Sequence, residues 1–440
     1  MAPSKTHEAF SLYFQFFRDI GLCFQRVRLW TPERVALGLV MLMSQPGIRS
    51  VEKLMSGWAT TFNLPTVPSD STFVEARKKL AEQFPKAMHE LWQRLVVHAR
   101  ELIPAHRRKV GDLQWIAVDG TWVWAPHEAG IIKRWGRPQS GNGNKLHYPQ
   151  LLLVTALDVL TRIPLAAAVM GHDEKGGERA GARSFLDSFG ADTVILADRG
   201  FPAKYLLYEL MKRGTQLLWR MQSSDAVSWD CVHQFLHDPE KPRDKKVTIR
   251  LTSREAKSDT SVEIEVRLIR RVFPRGRPKK GQKRDAMILM TTLMDEVTWP
   301  AERLLKMYEK RWVIESWFKD AKIHFGFEAF HSRRDDLMLQ EIHALLSWMT
   351  LCSILERDAH ERIERSRGKQ DPEDPCRFQI NYSNLYFSAS MIFARLMVNQ
   401  DVEAVLIESE RDLHWLDSTA RRRRPGRSYK RVNNGPFGRW

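Results

Sequence analysis

Trp115-Ile116-Ala117-Val118-Asp119-Gly120-Thr121-Trp122-Val123-Trp124 is a run of aliphatic, β-branched and aromatic residues interrupted by one aspartate and one glycine. That composition belongs to a strand. Working outward, Leu151 to Asp158 and Ile163 to Met170 read the same way, joined through a tight connection at Thr161-Arg162. A helix is expected over Arg179 to Phe189, a strand over Thr193 to Ala197, a helix over Pro202 to Arg213 and a strand over Gln216 to Met221. The order strand-strand-strand-helix-strand-helix-strand describes a mixed sheet with helices on its faces, an α/β class.

Helical spacing of apolar residues dominates from residue 8 to about 108, through Phe10 to Phe24, Val35 to Met43 and Phe84 to Leu102. Within it, Ser50 to Trp58 and Ser71 to Leu80 read as a helix pair, with Pro68-Ser69-Asp70-Ser71 supplying caps for the second. Such a pair either sets Arg77, Lys78 and Lys79 in a major groove or shows water a basic face. After residue 225 the rhythm breaks. Lys246 to Leu251 and Ser261 to Val272 alternate like exposed strands, before a strand at Ala286 to Leu293 and a long helix opened by Pro300 and reaching Phe325. Residues 340 to 358 and 383 to 410 are further helices. The expected divisions are 1–108, a helical DNA-binding part; 109–224 and 286–370, two halves of a core; 225–285, a β-rich insertion; and 371–440, a helical end with a basic tail.

At 440 residues the chain is long enough for two or three domains. Its 69 Lys and Arg against 53 Asp and Glu leave +16, which points to a polyanionic partner. On charge alone DNA, ribosomal RNA or an anionic membrane surface would serve. The 4 cysteines form no short pair, so neither a zinc cage nor a disulfide framework is expected. The longest apolar runs, Val35 to Met43 and Ala344 to Leu355, are too short or too interrupted for a bilayer. These features together predict a soluble cytoplasmic protein.

Three acids stand out by position. Asp119 and Asp198 each close an apolar strand, Asp198 within Val194-Ile195-Leu196-Ala197-Asp198-Arg199-Gly200-Phe201. That strand edge is where open sheets with helical crossovers bind ligands. An Asp there can equally cap a helix. Glu315 lies in Tyr308-Glu309-Lys310-Arg311-Trp312-Val313-Ile314-Glu315. On a continuous helix Tyr308, Arg311, Glu315 and Lys322 share a stripe of about 60°. The bland reading of that stripe is a salt-bridged, solvated face. The chemical reading is phosphodiester cleavage, in which two divalent cations activate the attacking oxygen and stabilise the leaving one. Asp119 would then bridge both ions, Asp198 and Glu315 would hold one each, and Arg311 and Lys322 would neutralise phosphates.

The spacing Tyr-x2-Arg-x3-Glu-x6-Lys, met by Tyr308, Arg311, Glu315 and Lys322, with Asp119 and Asp198 upstream, resembles the DDE transposases of the insertion-sequence-four family. The likeness runs from about residue 60 to 430 and includes Pro68 to Leu80. It implies an RNase H-like core interrupted by the β insertion, and catalytic, metal-holding Asp119, Asp198 and Glu315. It further implies two Mg²⁺ ions, for which Mn²⁺ can substitute, and a homodimeric synaptic complex on transposon terminal inverted repeats and target DNA in the bacterial nucleoid. By the same likeness cleavage can pass through a hairpin, with a flipped base received on Trp312. Tyr308, Arg311, Trp312 and Lys322 are the expected DNA-binding residues near the acids.

Arg275-Gly276-Arg277-Pro278-Lys279-Lys280 looks like an AT-hook core, whose arginines would lie in an A·T minor groove. The alternative is a solvated loop that touches phosphates only. The glycines of Ser140 to Asn144 have no nucleotide-binding context, so no nucleotide cofactor is expected. Two rivals share these residues: a nuclease of the same fold that does not join strands, and a transposase-derived DNA-binding protein without catalysis.

Overall fold

The computed structural model describes residues 5, 8–9, 12, 15–16, 29–44, 50–80, 83–172, 174–222, 229–256, 259–271, 287–368, 378–398 and 402–422, the stretch 402–407 in backbone alone. Helices α1 (Pro32–Ser44), α2 (Val51–Thr61), α3 (Asp70–Lys79) and α4 (Phe84–Leu102) come first. The sheet follows as β1 (Leu113–Trp124), β2 (Gln150–Asp158) and β3 (Pro164–Gly171), with α5 (Ala129–Trp135) between β1 and β2. Then come α6 (Gly177–Leu186), β4 (Thr193–Ala197), α7 (Lys204–Lys212) and β5 (Gln216–Met221). After α8 (Asp230–His237) the chain forms β6 (Asp244–Leu251), β7 (Val262–Arg271) and β8 (Met287–Thr291). It ends in α9 (Ala301–Glu309), α10 (Trp312–His324), α11 (Asp335–Arg367), α12 (Tyr382–Val398) and α13 (Val402–Thr419).

The fold is mixed α/β around one sheet in the order β3-β2-β1-β4-β5-β8-β7-β6. β3, β2 and β1 are antiparallel neighbours; β4 runs parallel to β1, and β5 parallel to β4. β2 and β4 are buried along nearly their whole length and β1 through Val118, which accounts for their near-continuous apolar sequence. β8 pairs antiparallel with β5, and β7 and β6 extend from it. The strands of the 225–285 segment therefore continue the central sheet.

α11, 33 residues long, packs chiefly on α4 and α1. It is long and apolar enough to cross a membrane by length and composition, yet 89% of its apolar window is buried in the protein. Its apolarity serves the core. Sequence periodicity had suggested a shorter helix, because the polar ends of α11 obscure where it starts and stops.

Three expectations change. The long helix over Pro300 to Phe325 is two helices, with Pro300 at the N-cap of α9 and an interruption at Lys310-Arg311. There Lys310, Arg311, Val313 and Ile314 donate to carbonyls three residues back, at 3.0–3.1 Å. This tighter winding rotates the chain between the two helices. Arg77 is not a groove contact: its side chain is 1% exposed, pairs with Glu341 at 2.9 Å and donates to the Leu337 carbonyl at 2.8 Å. A buried guanidinium needs such partners, and here they clamp α3 to α11. Lys78 and Lys79 of the same turn remain exposed. Thirdly, the helix expected over 383 to 410 is divided between α12 and α13.

A polar clamp also fixes α10 from behind. Arg162, at φ 61° in the β2–β3 turn, pairs with Asp320 of α10 at 2.6 Å and with Glu356 of α11 at 3.4 Å. The hydroxyls of Tyr386 and Tyr382 donate to the same two carboxylates, each at 2.8 Å.

At the α4–α11 contact the rings of His89 and His343 lie 5.1 Å apart. Burial, with His89 alongside, pushes the His343 imidazole down to about 3, and burial lowers His89 as well. A depressed folded pKa contributes stability above the ordinary value of 6.5 that is lost as pH falls toward the folded value. Wild-type melting temperature should therefore drop as pH is lowered through this range, and His343→Leu should flatten the drop. Parallel melting curves for the two proteins would show that the histidine pair stays uncharged for some other reason.

Candidate active site

β1 and β4 run side by side in parallel, with Ala117 opposite Leu196. Asp119 and Asp198 are each two residues further on, so they stand level on the same face of adjacent strands. The next register along, Ala197 with Trp219, brings Arg220 of β5 level with Asp198, and their charged atoms lie 3.6 Å apart. Asp119 accepts the Gly120 amide at 2.9 Å and Asp198 the Arg199 amide at 2.7 Å. Each carboxylate is thus oriented by the backbone that follows it.

The third acid arrives from the far end of the chain. The tight turn between α9 and α10 directs Arg311 inward until it is 2% exposed. Its guanidinium sits 2.6 Å from Glu315, 3.3 Å from Asp119 and 4.0 Å from Asp198. Tyr308, 3% exposed, lies beneath with its hydroxyl 3.5 Å from the Ala197 carbonyl. An open groove runs over the site, lined by Asp119, Gly120, Thr121, Glu315, Phe318, Lys319, Lys322 and Ile323.

Burial raises the pKa of Asp119; the Gly120 amide and Arg311 oppose the rise, and Glu315 and Asp198 add to it. For Arg311 burial works toward a lower pKa, but Tyr308, Glu315, Asp198 and Asp119 outweigh it and hold the guanidinium above its ordinary value. The three carboxylates offer the hard oxygen donors that Mg²⁺ or Mn²⁺ takes. As they stand, no three acidic, His or Cys side chains among the described residues are spaced to hold a metal. The space between them is taken by a guanidinium, a cation already shared by all three. The donor set fits a divalent ion.

Comparison with known proteins bears directly on this arrangement. A family model described as "Transposase DDE domain" matches residues 111–351, which include all three acids. The chain belongs to the transposase DDE domain family. The resemblance drawn from the Tyr-Arg-Glu-Lys spacing is borne out at that level, and this DDE-domain protein is also similar to the transposase InsG of insertion sequence element IS4 from Escherichia coli (strain K12). The two are 21% identical over 292 residues, 64% of this chain and 60% of the relative. The chain thus spans less than two thirds of the length of the curated relative it matches. Among solved structures it is similar to a piggyBac transposase synaptic complex with hairpin DNA, at TM-score 0.44 and 12% identity, over 93% of this chain and 85% of the other.

In this DDE domain the residues expected near DNA divide by exposure. Trp312 presents its ring at 57% exposure, with the Arg311 guanidinium 5.2 Å from its centre. Lys322 lines the groove, donating to the Trp122 carbonyl at 2.7 Å and pairing with Glu328 at 3.0 Å. Tyr308 and Arg311 are buried and engaged with the strands and acids. Arg275, Arg277, Lys279 and Lys280 lie outside the described residues.

The structure adds one acid that sequence reading missed. Glu178, in the first turn of α6, faces Gly120, and burial followed by the charges of Asp119 and Asp198 pushes its carboxyl up to about 7. Nothing in its local sequence marks it. The only hint was the glycine next to Asp119, which makes room for a neighbour.

Removing the positive charge among three carboxylates leaves them repelling one another. Arg311→Met should destabilise the metal-free protein by about 1–3 kcal/mol, and added Mg²⁺ or Mn²⁺ should restore more melting temperature than it adds to wild type. Equal cation responses in the two proteins would mean that Arg311 does not occupy the cation's place.

Proposed function

We propose that this chain cuts DNA at the ends of an insertion sequence and joins the cut ends to target DNA, with Asp119, Asp198 and Glu315 as its catalytic, metal-holding residues. The observation that carries the reading is the convergence of these acids, from the middle of β1 (which runs on past Asp119 to Trp124, where the sequence suggested a strand end), from the end of β4 and from a distant helix, on one buried guanidinium within 2.6–4.0 Å. Three carboxylates held around a single cation suit paired Mg²⁺ ions, with Mn²⁺ as substitute. The strand order β3-β2-β1-β4-β5, antiparallel then parallel, supports an RNase H-like core made of 109–224 and 286–370. Residues 1–108 then serve as the helical DNA-binding part, 225–285 as the β-rich insertion and 371–440 as the C-terminal part with its basic tail.

When bound, the ions supply an activated attacking oxygen and a stabilised leaving oxygen, so no protein base is called for. The chain's own residues do the rest. The backbone-anchored carboxylates of Asp119 and Asp198 keep their position as charge changes around them. Lys319 and Lys322, on the groove wall, hold the phosphates flanking the scissile bond. Arg311, buried among the three acids, would be the residue whose counter-charge a bound divalent ion replaces. The exposed ring of Trp312 offers a stacking surface for an extruded base, worth about 1–3 kcal/mol, as a hairpin route would use. Homodimeric pairing of two terminal inverted repeats, and action at the bacterial nucleoid, complete the proposal.

Incubation with the flanking genomic DNA, with and without Mg²⁺, tests it on a denaturing gel, and pre-cut ends with a target plasmid separate joining from simple cleavage. Glu315→Ala should abolish cut and joined products while leaving end binding largely intact, as expected of a residue that holds the metal and not the DNA ends; a variant that still cuts would strike Glu315 from the site. Changing Arg275 and Arg277 together to Ala should reduce the slope of log affinity against log salt by roughly 2, the value for two lost phosphate contacts. An unaltered slope would place that loop away from phosphate.

A further inference from the structure

β1 and β2 project beyond their neighbours in the sheet. The pairing of β1 with β4 stops at Ala117 and Leu196, whereas its pairing with β2 runs on to Trp124 and Gln150. The covering helix stops short as well. At Gly181 a Cβ would meet Cγ2 of Val154 at 2.7 Å and Sδ of Met170 at 2.8 Å, so α6 lies with its backbone against β2 and β3. Its first turn rests over Gly120, where a Cβ would stand 2.7 Å from Cγ of Glu178. Alternate strand residues share a face, so Trp122 and Trp124 follow Gly120 on that face, past the start of α6.

Both indoles are open to solvent, Trp122 at 38% and Trp124 at 40% exposure, whereas Trp115 of the same strand is fully buried in the core. The His172 ring backs Trp122 at 4.9 Å. Further along, the Ala125 amide donates to the Pro149 carbonyl at 3.0 Å and continues the ribbon. There His127 and His147 stack with ring centres 4.0 Å apart and planes within 3°, and exposed Tyr148 meets both edge-on.

The surroundings of this aromatic ribbon are basic. Residues 121–150 hold Lys133, Arg134, Arg137 and Lys145 against one acid, Glu128, which faces Arg333 at 3.6 Å. The ammonium of Lys322, on the groove wall, donates to the Trp122 carbonyl at 2.7 Å, so the groove over the acids opens onto the ribbon. Trp122 stands three residues, about 10 Å, beyond Asp119. Flat aromatic faces beside cations suit nucleobases, whose own faces are free where a strand is unpaired and are covered by neighbouring pairs in a duplex. A second copy of this chain, itself at +16, would bring like charge to the same place.

We propose that the ribbon past Asp119 is a stacking surface for unpaired bases of the DNA strand that leaves the acid groove, with Trp122 and Trp124 as its faces and Lys322 holding a phosphate at its entrance. This rests on the DNA-cutting reading given above and adds to it a place for single-stranded DNA on the sheet, separate from Trp312 on α10. Stacking reads no sequence, so the surface accepts any unpaired strand.

Fluorescence anisotropy of the full-length protein with fluorescein-labelled DNA, in EDTA so that nothing is cut, tests the assignment. Two probes are compared: the blunt duplex of the element's end, and the same duplex carrying a single-stranded oligothymidylate extension. Wild type should bind the extended probe more tightly, by about tenfold or more. Trp122→Ala with Trp124→Ala should erase that gain without altering the slope of log affinity against log salt, because stacking releases no counter-ions. Trp124→Ala alone should lose part of the gain, and Trp122→Phe with Trp124→Phe should keep most of it; melting temperatures confirm that each variant is folded. Equal wild-type affinity for the two probes, an alanine pair that keeps the whole gain, or a gain lost together with salt slope would overturn the stacking surface and leave end binding in place. An alanine pair that keeps the gain but sediments without DNA as a smaller species than wild type would make the patch a contact between copies instead. Wild type that binds neither probe would overturn the DNA-cutting reading as well.

Discussion

One guanidinium shared by three carboxylates is the interaction on which the rest of this structure is arranged. A charge that is 2% exposed cannot be left without counter-charge, and Arg311 meets this condition only because Asp119, Asp198 and Glu315 reach it together. The same requirement acts in reverse on the acids, which would otherwise repel across adjacent strands. Arg311 therefore behaves as an internal counter-ion.

The scaffold explains how the arrangement is kept. Asp119 sits within β1 and Asp198 just past the end of its parallel neighbour β4, where register makes them level, and each is oriented by the next backbone amide. The third sits on a helix that could slide or rotate, and it is fixed at two points. In front, the tightened turn at Lys310-Arg311 sets the angle between α9 and α10. Behind, Asp320 is held by Arg162 and Tyr386, which tie α10 to the β2–β3 turn and to α12. A site built on strands and a clamped helix holds its geometry better than one built on loops.

The charge pattern has two scales. The whole chain carries +16, whereas the floor of the groove is acidic, with Lys319 and Lys322 on its wall. A polyanion drawn by the long-range field meets local repulsion at the strand ends.

Much was legible from the sequence alone because it depends on local rules. Alternation and apolar composition located β1 to β5 and the helices between them, strand-end placement singled out Asp198 while Asp119, also read as closing a strand, lies in the middle of β1, and the spacing around Arg311 singled out Glu315 and the family. What depends on contacts between distant segments was not legible. Periodicity assumes unbroken helical winding, so it could not show the turn at Lys310-Arg311 that buries Arg311 and Tyr308. Composition made Arg77 a candidate for DNA, yet Glu341, 264 residues away in the chain, claims it. Glu178 carries no local mark because its place is set by two glycines that let a helix lie flat on a sheet. Sequence determines which residues can do the chemistry; close approach between surfaces, settled only when the chain packs, decides which of them meet.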